Sequence, residues 1–203
     1  MADWWRKGVA CTFDDKNFCR IINFYLWSCP TQTVKIQKDK TTKKEKRIKS
    51  KVSQRAITFE EQNWNGNNLN TLLSEMKKTS SKKLLYSCIG KNKDIKEAAE
   101  KAEAESNNSD INFEMIVFTE ENHIGQTKTI FYYIRNSIAH GSFSRINNDG
   151  TPVYYFENKY DGKTKARIRL RESTLLRWIE LFNSNASELR ENRKSKKRTS
   201  YKA

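Results

Sequence analysis

The chain has 203 residues, of which 36% are apolar and 31% charged, and its formal net charge is +15. This length predicts one main domain with appendages, large enough to bury a core. The charge favours an anionic partner, nucleic acid first and an anionic membrane surface second, and a solvated basic surface is the plain alternative. Two prolines and seven glycines disfavour a loop-rich β-sandwich and favour a mainly helical domain.

The first segment, residues 1–60, combines a predicted helix with a basic stretch. Asp14 and Asp15 can cap a helix over residues 17–27, where apolar side chains recur at helical spacing. Residues 35–51 carry nine Lys or Arg against two acidic residues. This stretch is expected to be a loop or an exposed hairpin.

The middle of the chain predicts three further helices and one ambiguous segment. A helix is expected over residues 69–78, a short one over 84–89, and an exposed, alanine-rich one over 94–105. Residues 111–119 form an apolar run that suits either a helix or a strand.

The last third predicts a helix, a hairpin and another helix. The first helix begins near residue 126 and stops at Gly141. Apolar and polar residues alternate over 153–157 and 166–170, with an Asp-Gly pair between them, which is typical of a β-hairpin. Ser173 is expected to cap the final helix.

The positive charge is concentrated in two arms. Residues 35–51 and the tail 190–203 together carry 13 of the 15 net positive charges, so the body between them is nearly neutral. Such arms attract polyanions by counterion release without reading sequence, although a solvated loop and a disordered tail would show the same pattern. The residues expected to contact nucleic acid are Lys43, Lys44, Lys46, Arg47, Arg145, Lys194, Lys196, Lys197 and Arg198.

Neither the spacing of the cysteines nor the length of the apolar segments indicates a zinc site or a membrane span. The four cysteines have no zinc-ligand spacing, so we expect buried free thiols in a reducing cytoplasm and no metal site. The N-terminus does not resemble a signal peptide, and the longest apolar-rich segment, residues 21–27, is too short to span a bilayer. The expected location is therefore the cytoplasm.

The strongest functional signal lies in residues 131–145. Their predicted helix ends by placing Arg135, Asn136 and His140 just before Gly141, which suits a left-handed C-cap. At about 100° per residue, Asn136 lies about 100° and His140 about 140° around the helix from Arg135. The polar trio therefore projects from a helix whose apolar stripe anchors it in the core.

The chemistry of this trio suits RNA. A histidine can move a proton to or from a ribose 2′-hydroxyl or a leaving oxygen near neutral pH, and His140 is one of only two histidines. Arg135 can grip a phosphate and stabilise charge developing on it, while Asn136 can orient the imidazole or hold the phosphate. The alternative is a helix-terminal histidine bonded to backbone carbonyls beside an arginine in a surface ion pair, and spacing alone does not separate the two.

The wider string resembles a known motif. Residues 134–141, Ile-Arg-Asn-Ser-Ile-Ala-His-Gly, closely resemble the Arg-(polar)-x-x-x-His motif of the HEPN superfamily (higher eukaryotes and prokaryotes nucleotide-binding). Residues 163–179 look like the region after the motif in a HEPN subgroup carried on bacterial plasmids and mobile elements. The resemblance covers roughly residues 60–185.

This resemblance implies a fold, an activity and partners. The implied fold is mainly α, an up-and-down helical bundle over residues 61–189, here with a small added β-hairpin. Many HEPN domains are metal-independent endoribonucleases of toxin–antitoxin, abortive-infection or CRISPR systems. By that pattern Arg135 would bind the scissile phosphate, His140 would be the acid or base, and Asn136 would support them.

The same resemblance implies no cofactor and three kinds of partner. These are RNA, a second copy of the chain that completes a composite site, and an antitoxin or regulatory protein. The expected products end in 2′,3′-cyclic phosphate. Because some HEPN proteins do not cleave RNA, a non-catalytic nucleic-acid-binding or regulatory module acting through the basic arms stays open as the alternative.

Overall fold

The computed structural model describes residues 8–9, 15–28, 30, 33–38, 45–50, 58–80, 84–90, 93–105, 113–121, 124–184, 186–187 and 189, with the backbone alone for 33–38 and 45–50. Within these residues the chain forms five α-helices, one π-helical segment and seven strands. In chain order they are α1 (Lys16–Ile22), the π-helical segment Asn23–Ser28, β1 (Thr33–Lys38), β2 (Glu45–Ser50), α2 (Asn67–Thr79), β3 (Leu84–Cys88), α3 (Lys96–Glu105), β4 (Glu114–Phe118), α4 (Gly125–Ala139), β5 (Phe143–Asn148), β6 (Thr151–Tyr160), β7 (Lys163–Arg171) and α5 (Glu172–Asn183).

Five strands form one mixed sheet in the order β3-β4-β7-β6-β5. β3 and β4 are parallel, and the chain joins them through α3, because parallel neighbours need a crossover connection. The remaining neighbours in this sheet are antiparallel. β1 and β2 pair separately as a two-stranded antiparallel ribbon.

The sheet overturns the expected mainly α, up-and-down bundle. Along β4, Ile116 and Phe118 join the core formed with α1, α2, α4 and α5, whereas Met115 and Val117 join a second cluster with α3. Helices therefore cover both faces of the sheet, which is an α/β layer arrangement rather than a bundle.

Two strands explain most of this difference. The short helix expected over residues 84–89 is wrong, because residues 84–88 form β3 and pair with β4. A five-residue apolar run carries too little periodicity to separate a buried strand from a helical turn. β5 has no strand pattern of its own, and its pairing with β6 alone makes it a strand.

Other expectations are confirmed. Asp15 caps α1, accepting a hydrogen bond from the Phe18 backbone N–H at 2.9 Å. The helices expected over 69–78 and 94–105 are present as α2 and α3, and the ambiguous segment at 111–119 contains β4. Within the basic stretch β1 and β2 pair as antiparallel strands, which agrees with the second of its two expected structures, a hairpin; the residues between the two strands lie outside the described ones.

The predicted hairpin is also confirmed, and it is longer than expected. β6 and β7 are joined by Asp161 and Gly162, whose φ angles are +51° and +68°. Positive φ at both central residues is the requirement of a type I′ turn, which Asp-Gly meets. The expected cap of the last helix is wrong, because α5 begins at Glu172 and leaves Ser173 exposed.

The main core is aromatic and includes residues from both ends of the chain. Phe131 of α4 packs against Phe24, Phe59 and Phe182, with ring centroids 5.5 to 6.3 Å apart. Phe24 follows α1 directly, so the helix predicted in the first segment lies in the same core as the motif helix.

A buried ionic network ties four elements together. Arg145 of β5 donates from Nε to Oε2 of Glu172 at 2.9 Å and from a terminal nitrogen to Oδ2 of Asp15 at 2.7 Å. Glu172 also accepts from the Tyr154 hydroxyl at 3.2 Å and from the Asn17 amide at 3.1 Å. The network joins α1, β5, β6 and the first turn of α5, and its hydrogen bonds offset the cost of burying these charges.

Arg145→Met is expected to lower the free energy of unfolding by about 3–5 kcal/mol, because it leaves the Glu172 carboxylate buried without its main counter-charge. Urea denaturation followed by circular dichroism measures this. The matched control is Arg177→Met, which removes an exposed pair with Glu180 at 2.9 Å and should cost about 1 kcal/mol or less. Equal losses of unfolding free energy in the two variants would contradict the inference that the buried network stabilises the fold more than an exposed ion pair does.

Candidate functional site

Helix α4 carries the motif, and its sequence explains its position. Ile130, Phe131, Ile134 and Ile138 recur at helical spacing and are at most 7% exposed, as the apolar stripe predicts. This stripe faces the aromatic core, so the other side of α4 is left to polar residues.

The helix ends as the sequence predicts. His140 occupies the C-cap, with φ −98° and ψ 5°, and its backbone N–H donates to the Asn136 carbonyl at 2.9 Å. Gly141 follows with φ +66°, the left-handed conformation typical of a helix terminator. The imidazole of His140 is exposed at this end.

Arg135 is half-buried and held by its neighbour. Its Nη1 donates to Oδ1 of Asn136 at 3.0 Å. Its Nε is buried and has no hydrogen-bond partner among the described residues. A buried donor without an acceptor costs about 1–3 kcal/mol, so an anionic oxygen that reached this nitrogen would satisfy it.

Arg135 lies on the outward stripe of α4. Lys128, Tyr132 and Ala139 occupy the same stripe at spacings of three and four residues, and each is half-buried or exposed. Ala139 is the smallest side chain of the stripe and lies in its last turn. A second helix could therefore approach α4 closely at this end.

His140 lies on a different flank. On this flank, Tyr133 donates from its hydroxyl to the Thr119 carbonyl at 2.9 Å, just beyond the end of β4. Asn136 and His140 follow Tyr133 at spacings of three and seven residues, so the three share one side of the helix. Asn136 is 9% exposed on that side.

A single chain therefore brings Asn136 together with each of the other two residues of the predicted trio, but does not bring those two together. Arg135 and Asn136 meet through a hydrogen bond, and Asn136 and His140 are neighbours one turn apart. Arg135 and His140 lie about 140° apart around the helix, with Cα atoms roughly 9 Å apart by ideal helix geometry. Their side chains leave α4 in different directions.

Arg145 is not part of this site. Its side chain is 8% exposed, and its guanidinium lies between the carboxylates of Asp15 and Glu172. A cation that already has two buried counter-charges has little capacity to bind a phosphate, so its burial disfavours the predicted nucleic-acid contact.

The other predicted nucleic-acid contacts lie in the arms. Lys46 and Arg47 belong to β2, where Arg47 pairs with Ile36 and Lys46 with Gln37 across the ribbon. The remaining ones, Lys43, Lys44, Lys194, Lys196, Lys197 and Arg198, lie outside the described residues.

A second cluster of titratable groups lies where the parallel strands end. Cys88 ends β3, and Lys77 places its Nζ 3.3 Å from the ring centroid of Tyr86. Burial raises the pKa of the Cys88 thiol, and the nearby Glu120 carboxylate raises it further. Burial also lowers the pKa of the Lys77 ammonium. No pattern in the sequence indicates this cluster, because only strand pairing brings its members together.

The raised pKa disfavours Cys88 as a nucleophile, because the thiolate is the reactive form. The cluster is therefore a weaker candidate site than the end of α4. Tyr133 behaves similarly, since burial and its hydrogen bond to Glu121 raise the pKa of its hydroxyl. Neither group is set up to give or take a proton near neutral pH.

No group of three or more His, Cys, Asp or Glu in the described part of the chain is arranged to hold a metal ion. None of the described helices has the length and apolar character needed to cross a membrane. No family model, no curated protein and no solved structure matches this chain.

The cluster around Cys88 yields a pH-dependent prediction. Since the raised pKa keeps the thiol protonated at mildly alkaline pH, iodoacetamide should alkylate Cys88 more slowly than the exposed Cys19. Glu120→Gln removes a negative charge beside the thiol, lowers its pKa and should speed its labelling, while leaving that of Cys19 unchanged. Peptide mass spectrometry over time measures both rates, and an unchanged Cys88 rate in Glu120→Gln would contradict the assigned cause.

Proposed function

We propose that the chain is a metal-independent endoribonuclease that cleaves RNA at the end of α4 and works as a homodimer. The observation that carries the proposal is the buried Arg135 Nε, which has no partner among the described residues, on the same helix end as the exposed His140. The motif resemblance to HEPN ribonucleases adds to it. The bundle fold implied by that resemblance is absent, so the proposal rests on the residues of α4 themselves.

The arginine supplies the electrophilic half of the reaction. Its guanidinium can donate to the non-bridging oxygens of the scissile phosphate. The hydrogen bond from Nη1 to Asn136 fixes the plane of the group before substrate arrives. Donors held in place in this way stabilise the charge that builds on the phosphate as the 2′-oxygen attacks.

The histidine supplies proton transfer. In the reaction the ribose 2′-oxygen forms a bond to phosphorus, the bond from phosphorus to the 5′-oxygen breaks, and the products are a 2′,3′-cyclic phosphate and a 5′-hydroxyl. One group must take the 2′-OH proton and another must give a proton to the leaving 5′-oxygen. The predicted motif contains one histidine, so one chain offers one such group there.

A second copy of the chain would supply the second histidine. It would also bring a histidine to the side of the helix that carries Arg135. In one chain Arg135 and His140 leave α4 on different sides, so a phosphate beside one is displaced from the other. Two helix ends related by a two-fold axis would place the arginine of one protomer beside the histidine of its partner and supply two histidines. The outward stripe with Arg135 and Ala139 is the surface we assign to this contact.

The biological setting follows as part of the proposal. A ribonuclease of this type would act in the cytoplasm as a toxin or as an abortive-infection or phage-defence effector. An antitoxin or another regulatory partner would restrain it, because unrestrained RNA cleavage stops growth. The +15 net charge would draw RNA to the protein.

His140→Ala is expected to lower RNA cleavage in EDTA by about a hundredfold or more, because one acid or base group contributes 10²–10⁴ in rate. His123→Ala, which changes the only other histidine, is the matched control and should retain the parent rate. The end groups of the products, read by mass spectrometry, should be 2′,3′-cyclic phosphate. Undiminished cleavage by His140→Ala would refute the assignment.

Mixing inactive variants tests the composite site. Arg135→Ala and His140→Ala should each be inactive, whereas an exchanged mixture should regain a small part of the activity, because each heterodimer keeps one arginine beside one histidine although it lacks the second histidine of the full site. A mixture that stays inactive, although subunit exchange is demonstrated by native mass spectrometry, would contradict a shared site.

The second candidate function is a non-catalytic nucleic-acid-binding or regulatory module. The observation that favours it is the β1–β2 ribbon, which places five of the chain's Lys and Arg on two paired strands. Antiparallel ribbons of this kind can lie along nucleic acid, and cations give them affinity without sequence preference.

Lys46→Gln/Arg47→Gln is expected to weaken RNA binding uniformly across sequences and to reduce the salt slope by about one per lost phosphate contact. Anisotropy titrations over a range of salt concentrations measure both effects. Deleting residues 190–203 tests the second arm in the same way. An unchanged slope in both variants would show that the arms do not bind the backbone.

A further inference from the structure

The β6–β7 hairpin extends beyond the edge strand beside it. The first pair between β5 and β6 is Phe143 with Phe156, and the Glu157 N–H then donates to the Ser142 carbonyl at 3.0 Å. β6 continues for three more residues to Tyr160. The hairpin end, residues 158–163, is therefore covered by no part of β5.

Tyr160 lies on the face of the sheet that α4 covers. Residues of one strand alternate between faces, and Tyr154 and Phe156 belong to the core beneath α4. Lys159 and Glu157 share the opposite face, as their 2.8 Å ion pair shows. The register shift in this hairpin leaves its extra residue on β7, so the alternation of β6 places Tyr160 on the α4 side.

The ring of Tyr160 is 73% exposed, the most of any large apolar or aromatic side chain described. A tyrosine left in water on the core face of a strand contributes little to folding. Tyr160 lies beyond the last core residue of β6, so its ring is in solvent and buries little apolar surface. A binding role accounts for an aromatic ring in such a place better than a structural one.

The end of α4 lies next to this hairpin end. Ser137 donates from Oγ to the Glu157 carbonyl at 3.0 Å, so the last turn of α4 crosses β6 where the free part of the hairpin begins. His140 follows Ser137 by three residues and therefore lies on the same side of the helix. Tyr160 is three residues along β6 from this crossing, roughly 10 Å at the rise of a strand.

The charges around the ring suit a polyanion. Lys163, the register partner of Tyr160, is exposed, whereas Lys159 lies on the opposite face in its ion pair with Glu157. Asp161 is the only acidic residue among residues 158–163. It occupies a position of the tight turn that has a positive φ, which aspartate tolerates. An exposed ring beside the ammonium group of Lys163 combines base stacking with phosphate attraction.

We propose that Tyr160 is a stacking platform for a base of single-stranded RNA, next to the His140 end of α4, with Lys163 contacting the RNA backbone. This inference rests on the proposed function and gives it a substrate class, a single strand, because only an unpaired base offers its face to a ring. The platform would hold a nucleotide flanking the scissile phosphate and so set which bonds reach His140.

Binding to a fluorescein-labelled twelve-nucleotide oligouridylate, measured by anisotropy, tests the platform. All variants are made in the full chain carrying His140→Ala, so that cleavage does not interfere. Tyr160→Ala should raise the Kd about fivefold or more, the effect of losing one base stack. Tyr160→Phe keeps the ring and should keep the Kd, and Trp27→Ala, which removes a 61% exposed ring elsewhere, should also leave it unchanged.

Further readouts separate stacking from a structural effect and from the nuclease itself. Tyr160→Trp should show tryptophan fluorescence quenched by oligouridylate beyond that of the parent chain, and a duplex RNA of equal length should quench it less. An unchanged Kd for Tyr160→Ala, no quenching in Tyr160→Trp, or equal quenching by the duplex would overturn the platform. Cleavage by the unmutated chain is measured in parallel, so its absence refutes the nuclease while the binding data judge the platform separately.

Discussion

The contact between Arg145 and Glu172 is the interaction on which the rest of the architecture depends. Glu172 begins α5, Arg145 lies in β5, and their shared partners Asp15 and Tyr154 belong to the cap of α1 and to β6. These charges are buried, so each must find its partners for the fold to close. When they do, β5 is fixed against the helices, and with it the chain that leaves α4 through His140 and Gly141.

Fixing β5 determines where the candidate site points. The N–H of Glu157 and the carbonyl of Ser142 join β6 to the residues just after α4, and Ser137 adds a side-chain bond to the same strand. The end of α4 is thus pinned to β6, the strand next to the edge strand β5. The proposed chemistry needs such rigidity, because a proton donor or acceptor works only at hydrogen-bond distance from the reacting oxygen.

The arrangement also separates two roles that the sequence presents as one. Arg135 belongs to the outward stripe of α4, whereas His140 belongs to the flank beside the hairpin end. In the proposed function, the first surface contacts a second copy of the chain and the second contacts the strand of RNA. A composite site between two copies would use both surfaces at once, which a single helix end cannot do.

The sequence by itself determined the local elements whose signals lie within a few residues. These include the Asp15 cap, the apolar stripe of α4 with its Gly141 terminator, and the Asp161-Gly162 hairpin. It also indicated Arg135, Asn136 and His140 as candidate site residues, because their residue types and their spacing can be read directly from the sequence. It could not determine the sheet, since β3 becomes a strand only by pairing with β4, which lies beyond α3 in the chain, and β5 has no strand pattern apart from its pairing with β6. Only the tertiary structure shows that Arg145 is buried in ion pairs and that the side chains of Arg135 and His140 leave α4 in different directions. It also shows that Tyr160 is exposed at the end of the hairpin near the candidate site. The reason is physical: propensity and capping act between near neighbours, whereas burial, strand pairing and charge partnership depend on which distant residues the fold brings together.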